Sequence, residues 1–349
     1  MISFTKILAI NILILFLGLF LIEIFFGAWF KSSNYHNLLI PRQQTNLITS
    51  FPYDHDTLGI YSRDKNGFRA NSYDLDEINI LILGGSTTEE REVDDKKIWT
   101  KVFENNLNDN LKVLNAGIGG QTSYGHKSIF KMWFQKHTEL SPDYILVYLG
   151  INDALYLVEY FESKKPLFKG REKNSSNRDT LININRYKRF IQFIKNNSVF
   201  HSVYLIIKGN IISNKYQASY NSKPSKFIAF KENKPKNLSD LDNNFINNFR
   251  DYYFQNLIQI LNYSKNYNAK TIFVTQVLSP NHWLTEYLRL INNFTINFCN
   301  LKKISCINID NGNLNLLEKH FYDGIHTTPK GSKIIGKYLA REFNNLLPR

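Results

Sequence analysis

Short apolar runs and longer amphipathic segments alternate along most of the chain after residue 77. Apolar runs bounded by turn residues are typical of buried strands, and they occur at 78–83, 112–114, 144–149, 271–277 and 306–309. Segments with apolar residues three and four positions apart predict helices, which we place at 97–109, 123–138, 241–265, 284–300 and from Pro329 onward. Strands that alternate with helices in this way predict a parallel sheet covered by helices on both faces.

Two stretches depart from this alternation. Residues 31–77 are polar and irregular, with several prolines and glycines, and we interpret them as a connector that wraps onto the domain. Residues 154–238 combine a basic, apolar segment from Tyr187 to Ile212, predicted to be helical, with a polar segment rich in lysine, serine, asparagine and proline. We interpret 154–238 as an insertion or lid within a domain that spans 78–349.

Residues 7–30 form a nearly uncharged apolar segment. As a helix it would be about 36 Å long, enough to cross a hydrocarbon layer of about 30 Å. Glu23 is the exception, because a carboxylate in lipid is costly, but aromatic residues follow it as at a membrane interface. The alternative is a cleaved signal peptide, against which the length and the missing cleavage pattern argue. The sequence therefore predicts a single-pass N-terminal transmembrane anchor, with the rest of the chain outside the cytoplasm.

Positive charge is concentrated in one part of the chain. The net charge is +13, and residues 154–240 contain 17 lysines and arginines against six acidic residues. This stretch is either an ordinary solvated surface or a contact for anionic lipid headgroups. No nucleic-acid-binding motif accompanies it, so nucleic acid is not an expected partner. No histidine–cysteine cluster has metal-ligand spacing, so no metal or cofactor is expected, and Cys299 and Cys306 are predicted to be free thiols rather than a disulfide.

Four short motifs carry candidate chemistry. Gly84-Gly85-Ser86-Thr87 follows the first predicted strand, Asn115 to Gly120 the second and Gly150-Ile151-Asn152-Asp153 the third, and Asp323-Gly324-Ile325-His326 follows the last. The carboxyl ends of parallel strands meet at one edge of the sheet, where ligands bind in such folds. We therefore expect the four motifs to converge.

The residue types in these motifs are those of a serine hydrolase. A serine hydroxyl becomes nucleophilic when an imidazole accepts its proton, and a carboxylate fixes the tautomer of that imidazole. Ser86, His326 and Asp323 match these roles by type. The backbone N–H groups of Ser86 and Gly120 and the side-chain amide of Asn152 could donate to the oxyanion. Each motif alone could be a turn, a loop or a helix cap; their joint order favours catalysis.

The motifs resemble the conserved blocks of the SGNH (GDSL-type) hydrolase superfamily, and in particular its membrane-anchored bacterial members. By this resemblance the serine of the first block is Ser86, the glycine of the second is Gly120 and the asparagine of the third is Asn152, while the last block supplies Asp323 and His326. The resemblance implies a three-layer α/β/α fold with a five-stranded parallel sheet, flavodoxin-like in topology, and ester hydrolysis without a metal.

One position departs from the family pattern. Gly85 stands where the family has an aspartate, so any hydrogen bonds from that aspartate are missing. The chain has no Gly-x-Ser-x-Gly elbow, which argues against an ordinary α/β-hydrolase. Among the other histidines, His126 lies close to the second motif and could line the cleft, but the helix pattern favours a partly exposed position. His320 is expected to be structural, and His282 with Trp283 could form a substrate wall.

The sequence thus favours a serine esterase or acyl hydrolase that acts through an acyl-serine intermediate on an ester-bearing carbohydrate or lipid. Two alternatives stay open. The first is an O-acyltransferase of the same fold that modifies envelope polysaccharide. The second is an inactive member of the fold that serves as a binding protein. The two enzymes would share the acyl-serine step, whereas the binding protein would lack it.

Overall fold

The computed structural model describes residues 4–26, 44–48, 59–163, 242–310 and 312–347, together with single residues between them, and gives no side-chain detail at 44–48, 131–132 and 159–163. The chain divides into two compact units. One consists of Met1–Leu39 and Leu181–Ser219, and the other of Ile40–Thr180 and Tyr220–Arg349.

The larger unit is built on a five-stranded parallel sheet, which confirms the predicted fold class. An antiparallel pair, β1 (Gln44–Ile48) and β2 (Gly59–Arg63), precedes it. The sheet strands are β3 (Ile80–Gly84), β4 (Val113–Asn115), β5 (Tyr144–Tyr148), β6 (Lys270–Val274) and β7 (Cys306–Ile307). Their spatial order is β4-β3-β5-β6-β7, which is the flavodoxin-like order.

Helices cover both faces of this sheet. The helices of the larger unit are α2 (Ser86–Glu89), α3 (Trp99–Glu104), α4 (Ser123–Met132), α5 (Ile151–Ser163), α6 (Asn243–Lys265), α7 (Thr285–Lys302) and α8 (Pro329–Leu346). Because alternate strand residues point to opposite faces, Ile80 and Ile82 pack with α3 and α8 in one core cluster. Phe273 points the other way and packs edge-on against Phe298 of α7.

The boundaries differ from the sequence prediction where tertiary contacts intervene. The helix predicted at 97–109 extends over Trp99–Glu104, and the one predicted at 123–138 ends at Met132 before a 3₁₀ turn at Phe134–Lys136. β7 is a two-residue strand. Of the two thiols, both free, Cys299 is buried and Cys306 is half-buried.

The predicted connector contains regular structure that the sequence did not reveal. β2 lies inside 31–77, and the polar side chains of Arg63 and Arg69 are among the most deeply buried in the protein. Alternation of polar and apolar residues predicts a half-exposed strand, so arginines that are buried by ion pairing hide the pattern. The prediction of an irregular segment was wrong for these residues.

The predicted insertion is described in part. Its first residues continue α5 as far as Ser163. Residues 164–190 and 205–237 lie outside the described residues, and with them most of the helix predicted from Tyr187 to Ile212 and most of the basic charge. The expected lid and its contact with anionic lipid therefore stay predictions.

The smaller unit contains the N-terminal helix α1 (Phe4–Phe26), none of whose residues is buried. Within the described part of the chain, it is the one helix long and apolar enough to cross a membrane. A signal sequence near the N-terminus meets the same criterion of length and composition. It begins and ends a few residues before the predicted span of 7–30. The Glu23 carboxylate accepts a hydrogen bond from the Trp29 indole at 3.0 Å, which partly satisfies the charged group that the sequence left unexplained.

Candidate active site

The candidate site lies where the order of the strands reverses. β3 pairs with β4 on one side and with β5 on the other, and Gly84 at the end of β3 lies opposite Tyr148 at the end of β5. Ser86 lies two residues after the end of β3, and Asn152 lies four residues after the end of β5. A crevice opens at such a switch point because the chain leaves the neighbouring strands in opposite directions. The topology therefore brings the first and third motifs side by side.

Ser86, His326 and Asp323 form a continuous chain of hydrogen bonds. His326 Nε2 lies 2.7 Å from Ser86 Oγ, and His326 Nδ1 lies 2.6 Å from Asp323 Oδ2. The other carboxylate oxygen, Asp323 Oδ1, accepts the backbone N–H groups of Ile325 at 2.9 Å and of His326 at 2.7 Å. The structure thus joins three residues that lie up to 240 positions apart in the sequence.

The carboxylate of Asp323 is held in its charged form. Burial alone would raise its pKa, but hydrogen bonds and charge interaction with His326, together with the two backbone N–H groups, lower the pKa below its usual value. An ionised Asp323 accepts Nδ1–H, which leaves Nε2 of His326 unprotonated and able to accept the Ser86 proton. This tautomer is the one that general-base catalysis requires.

Neighbouring side chains hold the loop that carries Asp323 and His326. Gly324 has φ +85°, and a Cβ on it would lie 2.6 Å from His282 Cδ2, so the His282 ring packs directly against this backbone. The Tyr322 ring stacks on His326, with ring centres 5.7 Å apart and planes 15° apart. Trp283, next to His282, is 43% exposed. His282 therefore supports the loop, and Trp283 presents an accessible aromatic surface.

The second and third motifs meet the turn before Ser86 at Gly85. A Cβ on Gly85 would lie 2.6 Å from Asn152 Nδ2 and 3.8 Å from the backbone oxygen of Gln121. A side chain at this position would therefore require the Asn152 amide to shift. Gly120, just before Gln121, has φ +76°, a conformation that favours glycine.

A protein-family model now adds a comparison that is independent of this geometry. The model described as GDSL-like Lipase/Acylhydrolase matches residues 80–339, which is most of the 349-residue chain. The chain belongs to this family. All four motifs fall within the matched range, whereas β2 and the two buried arginines precede it.

Solved structures of GDSL proteins resemble the chain at low sequence identity. A member of the lipolytic G-D-S-L family from Veillonella parvula is 13% identical, with a TM-score of 0.42, over 77% of this chain and 100% of that chain. Est24, a carbohydrate acetylesterase from Sinorhizobium meliloti, is 12% identical, with a TM-score of 0.41, over 77% of this chain and 100% of that chain. The esterase EstA from Pseudoalteromonas sp. is 13% identical, with a TM-score of 0.41, over 77% of this chain and 97% of that chain. No curated protein matches the chain.

Gln276, which the sequence analysis did not single out, links the first and third motifs of this GDSL chain. It follows β6 and is buried. Its Oε1 accepts the backbone N–H of Ile151 at 2.6 Å, and its Nε2 donates to Thr87 Oγ1 at 2.9 Å. One amide side chain therefore fixes the residue after Ser86 relative to the residue before Asn152. An isolated glutamine after a strand carries no sequence signal for such a role.

Asp153 links the second and third motifs. The sequence left it as a possible cap of its own helix, but its carboxylate accepts the backbone N–H of Ser123 at 3.0 Å and the Ser123 hydroxyl at 2.6 Å. Ser123 is the first residue of α4. A buried carboxylate at a helix N-terminus is favoured by the helix dipole, so Asp153 joins the start of α4 to the segment that carries Asn152.

Glu90 links the segment after Ser86 to the segment after His326. Its fully buried carboxyl accepts the Trp99 N–H at 2.5 Å and the Thr327 hydroxyl at 2.7 Å, and it also accepts the Ser332 hydroxyl. Burial raises the pKa of Glu90 to about 7, although these hydrogen bonds act in the opposite direction. Three hydrogen-bond donors of the protein take the place of water around the Glu90 carboxyl, and they connect the end of α2 to α8.

Two other histidines are buried. His126 is buried rather than partly exposed, so the prediction from the helix pattern was wrong. Burial lowers its pKa to about 4, and it is therefore neutral at physiological pH. His320 is buried and accepts the backbone N–H of Leu317 at 3.0 Å through Nδ1, in accordance with the structural role expected for it.

Glu89 makes the fold sensitive to acid. Burial would raise its pKa, but the charges of Arg63 and Arg91 and hydrogen bonds from Tyr61 and Arg63 lower it from 4.5 to about 2. The Glu89 carboxyl then binds a proton more readily in the unfolded chain than in the folded chain. The ionised carboxylate therefore stabilises the fold at pH values above the pKa that it has in the unfolded chain. The contribution, about 3 kcal/mol, is lost as the pH falls from about 4.5 towards 2.

We expect urea unfolding to show this loss as a difference between wild type and Glu89→Gln. On acidification from pH 6 to pH 3, the wild-type free energy of unfolding should fall by more than that of the variant, which lacks the titrating group. The same change at exposed Glu286 serves as the control and should leave the pH dependence as in wild type. Parallel decreases in wild type and Glu89→Gln would contradict the assignment.

Proposed function

We propose that the chain is a membrane-anchored serine esterase that hydrolyses a carboxylic ester through an acyl-Ser86 intermediate. The observation that carries the proposal is the hydrogen-bonded chain from Ser86 Oγ through His326 to Asp323. A serine, a histidine and an aspartate in this geometry form a complete nucleophile, base and orienting group. An inactive binding protein would have no need of it.

In the first half-reaction, Ser86 Oγ attacks the acyl carbon and passes its proton to His326 Nε2. The imidazolium that forms is stabilised by the Asp323 carboxylate. The carbonyl oxygen becomes an oxyanion, which accepts hydrogen bonds from the N–H groups of Ser86 and Gly120 and from Asn152 Nδ2. When the tetrahedral intermediate collapses, His326 returns the proton to the leaving alcohol oxygen, and the acyl group stays on Ser86.

In the second half-reaction, water takes the place of the alcohol. His326 Nε2 removes a proton from the water as it attacks the acyl carbon, and the same donors stabilise the second oxyanion. Collapse releases the carboxylic acid, and His326 returns the proton to Ser86 Oγ. A sugar hydroxyl in place of water would make the same intermediate the donor of an acyl transfer, so the two enzyme functions diverge at this step.

The substrate proposed is an ester on a carbohydrate or a lipid near the membrane. The N-terminal helix supports this choice as a single-pass anchor that holds the domain at the bilayer, with the catalytic part outside the cytoplasm. The accessible aromatic face of Trp283 and the ring of Tyr322 beside the site suit the apolar face of a sugar ring or an acyl chain.

The full chain in detergent, treated with a fluorophosphonate probe and assayed with p-nitrophenyl acetate, tests the proposal. We expect one label per chain, located on Ser86 by peptide mapping, and release of p-nitrophenol that the label abolishes. Labelling at another residue or no labelling would contradict the esterase. With an added glycan acceptor, release of acid equal to release of alcohol supports hydrolysis, whereas acylated glycan without matching acid indicates the transferase.

Asn152→Ala should lower kcat by about 10²–10³-fold, because one oxyanion donor is lost. The KM for p-nitrophenyl acetate should change little, since the oxyanion develops in the transition state. Steady-state kinetics normalised by phosphonate titration of active sites would measure both. Asn345→Ala, at an exposed asparagine near the end of α8, is the control and should behave as wild type. An unchanged kcat in Asn152→Ala would remove Asn152 from the oxyanion hole.

A further inference from the structure

Arg63 in β2 is held by contacts on all sides. Its side chain is fully buried, and its Nε and Nη1 donate to Tyr61 Oη at 2.6 Å and to the Gly67 carbonyl at 2.7 Å. Nη2 donates to the Gly117 carbonyl at 2.8 Å and forms an ion pair with Glu89 Oε1 at 3.0 Å. The guanidinium therefore bridges the segment before the sheet and the loop after β4.

The partner carboxylate holds the same loop from its other side. Glu89 Oε2 accepts the backbone N–H of Gly119 at 2.6 Å. A Cβ on Gly117 would lie 2.4 Å from the backbone nitrogen of Glu89, so the loop and the end of α2 are in direct backbone contact. Arg63 thus fixes a carbonyl and Glu89 an amide of the residues that lead into Gly120.

We propose that Arg63 is a positioning residue for the loop that binds the oxyanion, so that catalysis depends on a segment outside the family-matched range of 80–339. This inference rests on the proposed function, in which the N–H of Gly120 is an oxyanion donor. Arg63 does not touch the reacting atoms. It acts through the Gly117 carbonyl and through Glu89.

The physical reason is the narrow distance range over which an oxyanion donor works. A donor must lie about 2.7–3.1 Å from the developing charge, and a displacement of about 1 Å can cost about 10²-fold in rate. A loop of small residues has few side chains of its own to hold it. The planar guanidinium provides several donors in fixed directions, which the single ammonium of lysine does not reproduce.

Arg69 provides a matched control. It lies on the same segment and is as deeply buried as Arg63. Its guanidinium donates to the carbonyls of Glu89 at 3.0 Å and Val93 at 2.8 Å and forms an ion pair with Asp95. These contacts hold the end of α2 and the segment after it, and they do not include the loop from Gly117 to Gly120. A substitution at Arg69 therefore removes a buried arginine without removing the contact to that loop.

The test compares Arg63→Met and Arg69→Met in the full chain, with kcat expressed per phosphonate-titratable site. We expect Arg63→Met to lower kcat by at least about tenfold with KM within about twofold of wild type, because the oxyanion develops in the transition state. Arg69→Met should keep kcat within about threefold. An Arg63→Met kcat within threefold of wild type, or equal losses in both variants, would overturn the inference.

A double variant separates positioning from the cost of an unpaired buried charge. Arg63→Met leaves the buried Glu89 carboxylate with the exposed Arg91 as its remaining ion-pair partner, and removing the buried partner of a buried charge is strongly destabilising. In Arg63→Met/Glu89→Gln no unpaired buried charge remains, so the unfolding midpoint should recover while kcat stays below that of Glu89→Gln alone. Recovery of kcat together with stability would show that Arg63 has a structural role alone. This variant also keeps the test possible if Arg63→Met does not fold.

Hydrogen exchange gives a readout that does not depend on activity. Amides in peptides that cover residues 115–122 should exchange faster in the double variant than in Glu89→Gln or Arg69→Met, because the contact of Arg63 with the Gly117 carbonyl is lost. Unchanged exchange there would overturn the inference. If the wild type shows no turnover that depends on Ser86, the proposed function fails, and the exchange experiment still decides whether Arg63 holds the loop.

Discussion

Ser86→Ala should lower kcat for p-nitrophenyl acetate by about 10⁵-fold or more and abolish phosphonate labelling. The reason is that the variant retains the oxyanion donors and the base but has no nucleophile from which an acyl intermediate can form. Removal of a nucleophile or of its base from such a triad costs up to about 10⁶-fold, and the losses are not additive. We therefore expect Ser86→Ala, His326→Ala and the double variant to have similar residual rates.

The measurement is initial-rate kinetics with enough enzyme to detect the residual activity, alongside intact-mass analysis of the labelled protein. Ser279→Ala, which removes another buried hydroxyl, is the control for the loss of a serine side chain and should label normally. If Ser86→Ala retained more than about a hundredth of the wild-type kcat, the triad would not be the catalytic centre. Losses in the single variants that multiplied in the double variant would indicate that Ser86 and His326 do not act together.

Asp323→Asn should lower kcat by about 10⁴-fold while the fold is retained. An asparagine amide at Oδ2 would donate a hydrogen bond to His326 Nδ1, so the imidazole would adopt the other tautomer. Nε2 would then carry the proton and could not accept the one from Ser86. The side-chain oxygen at Oδ1 can still accept the N–H groups of Ile325 and His326, which keeps the loop in place.

Kinetics between pH 6 and pH 10, together with thermal unfolding, would test this expectation. Asp310→Asn is the control. Asp310 accepts a 3.1 Å hydrogen bond from Asn292 and none from a triad residue, so the kcat of this variant should be near that of wild type. A kcat for Asp323→Asn within tenfold of wild type at pH 7 would contradict the role of Asp323 as the group that sets the histidine tautomer.

Much of the fold was predictable because burial leaves a direct trace in the sequence. The apolar runs 78–83 and 144–149 became the central strands β3 and β5, and all residues of Ile80–Gly84 are buried. The convergence of the motifs followed from the same alternation, because parallel strands end at one edge. Ser86, Asn152, Asp323 and His326 are of the right chemical type and follow strands, so they were identified as candidates before their distances were known.

The residues that hold the site in place were not predictable in the same way. Arg63, Glu89 and Glu90 are charged residues in polar segments, a pattern typical of a solvated surface, and yet all three are buried. Their burial depends in part on distant partners, such as Gly119 for Glu89 and Thr327 for Glu90, which lie 30 and 237 positions away. The spacing of apolar residues and the composition of a segment are local properties, and they contain no information about such pairs of distant residues.

By itself, the sequence determined a parallel sheet between two layers of helices, an apolar N-terminal helix and the chemical types of a serine hydrolase. Those features depend on how each segment partitions between water and an apolar interior, which its own residues decide. The tertiary structure alone decided that the Ser86 hydroxyl meets His326 at 2.7 Å and that Arg63 reaches the loop before Gly120. A hydrogen bond needs two atoms at one distance and one angle, and for residues far apart in the chain only the folded backbone sets both.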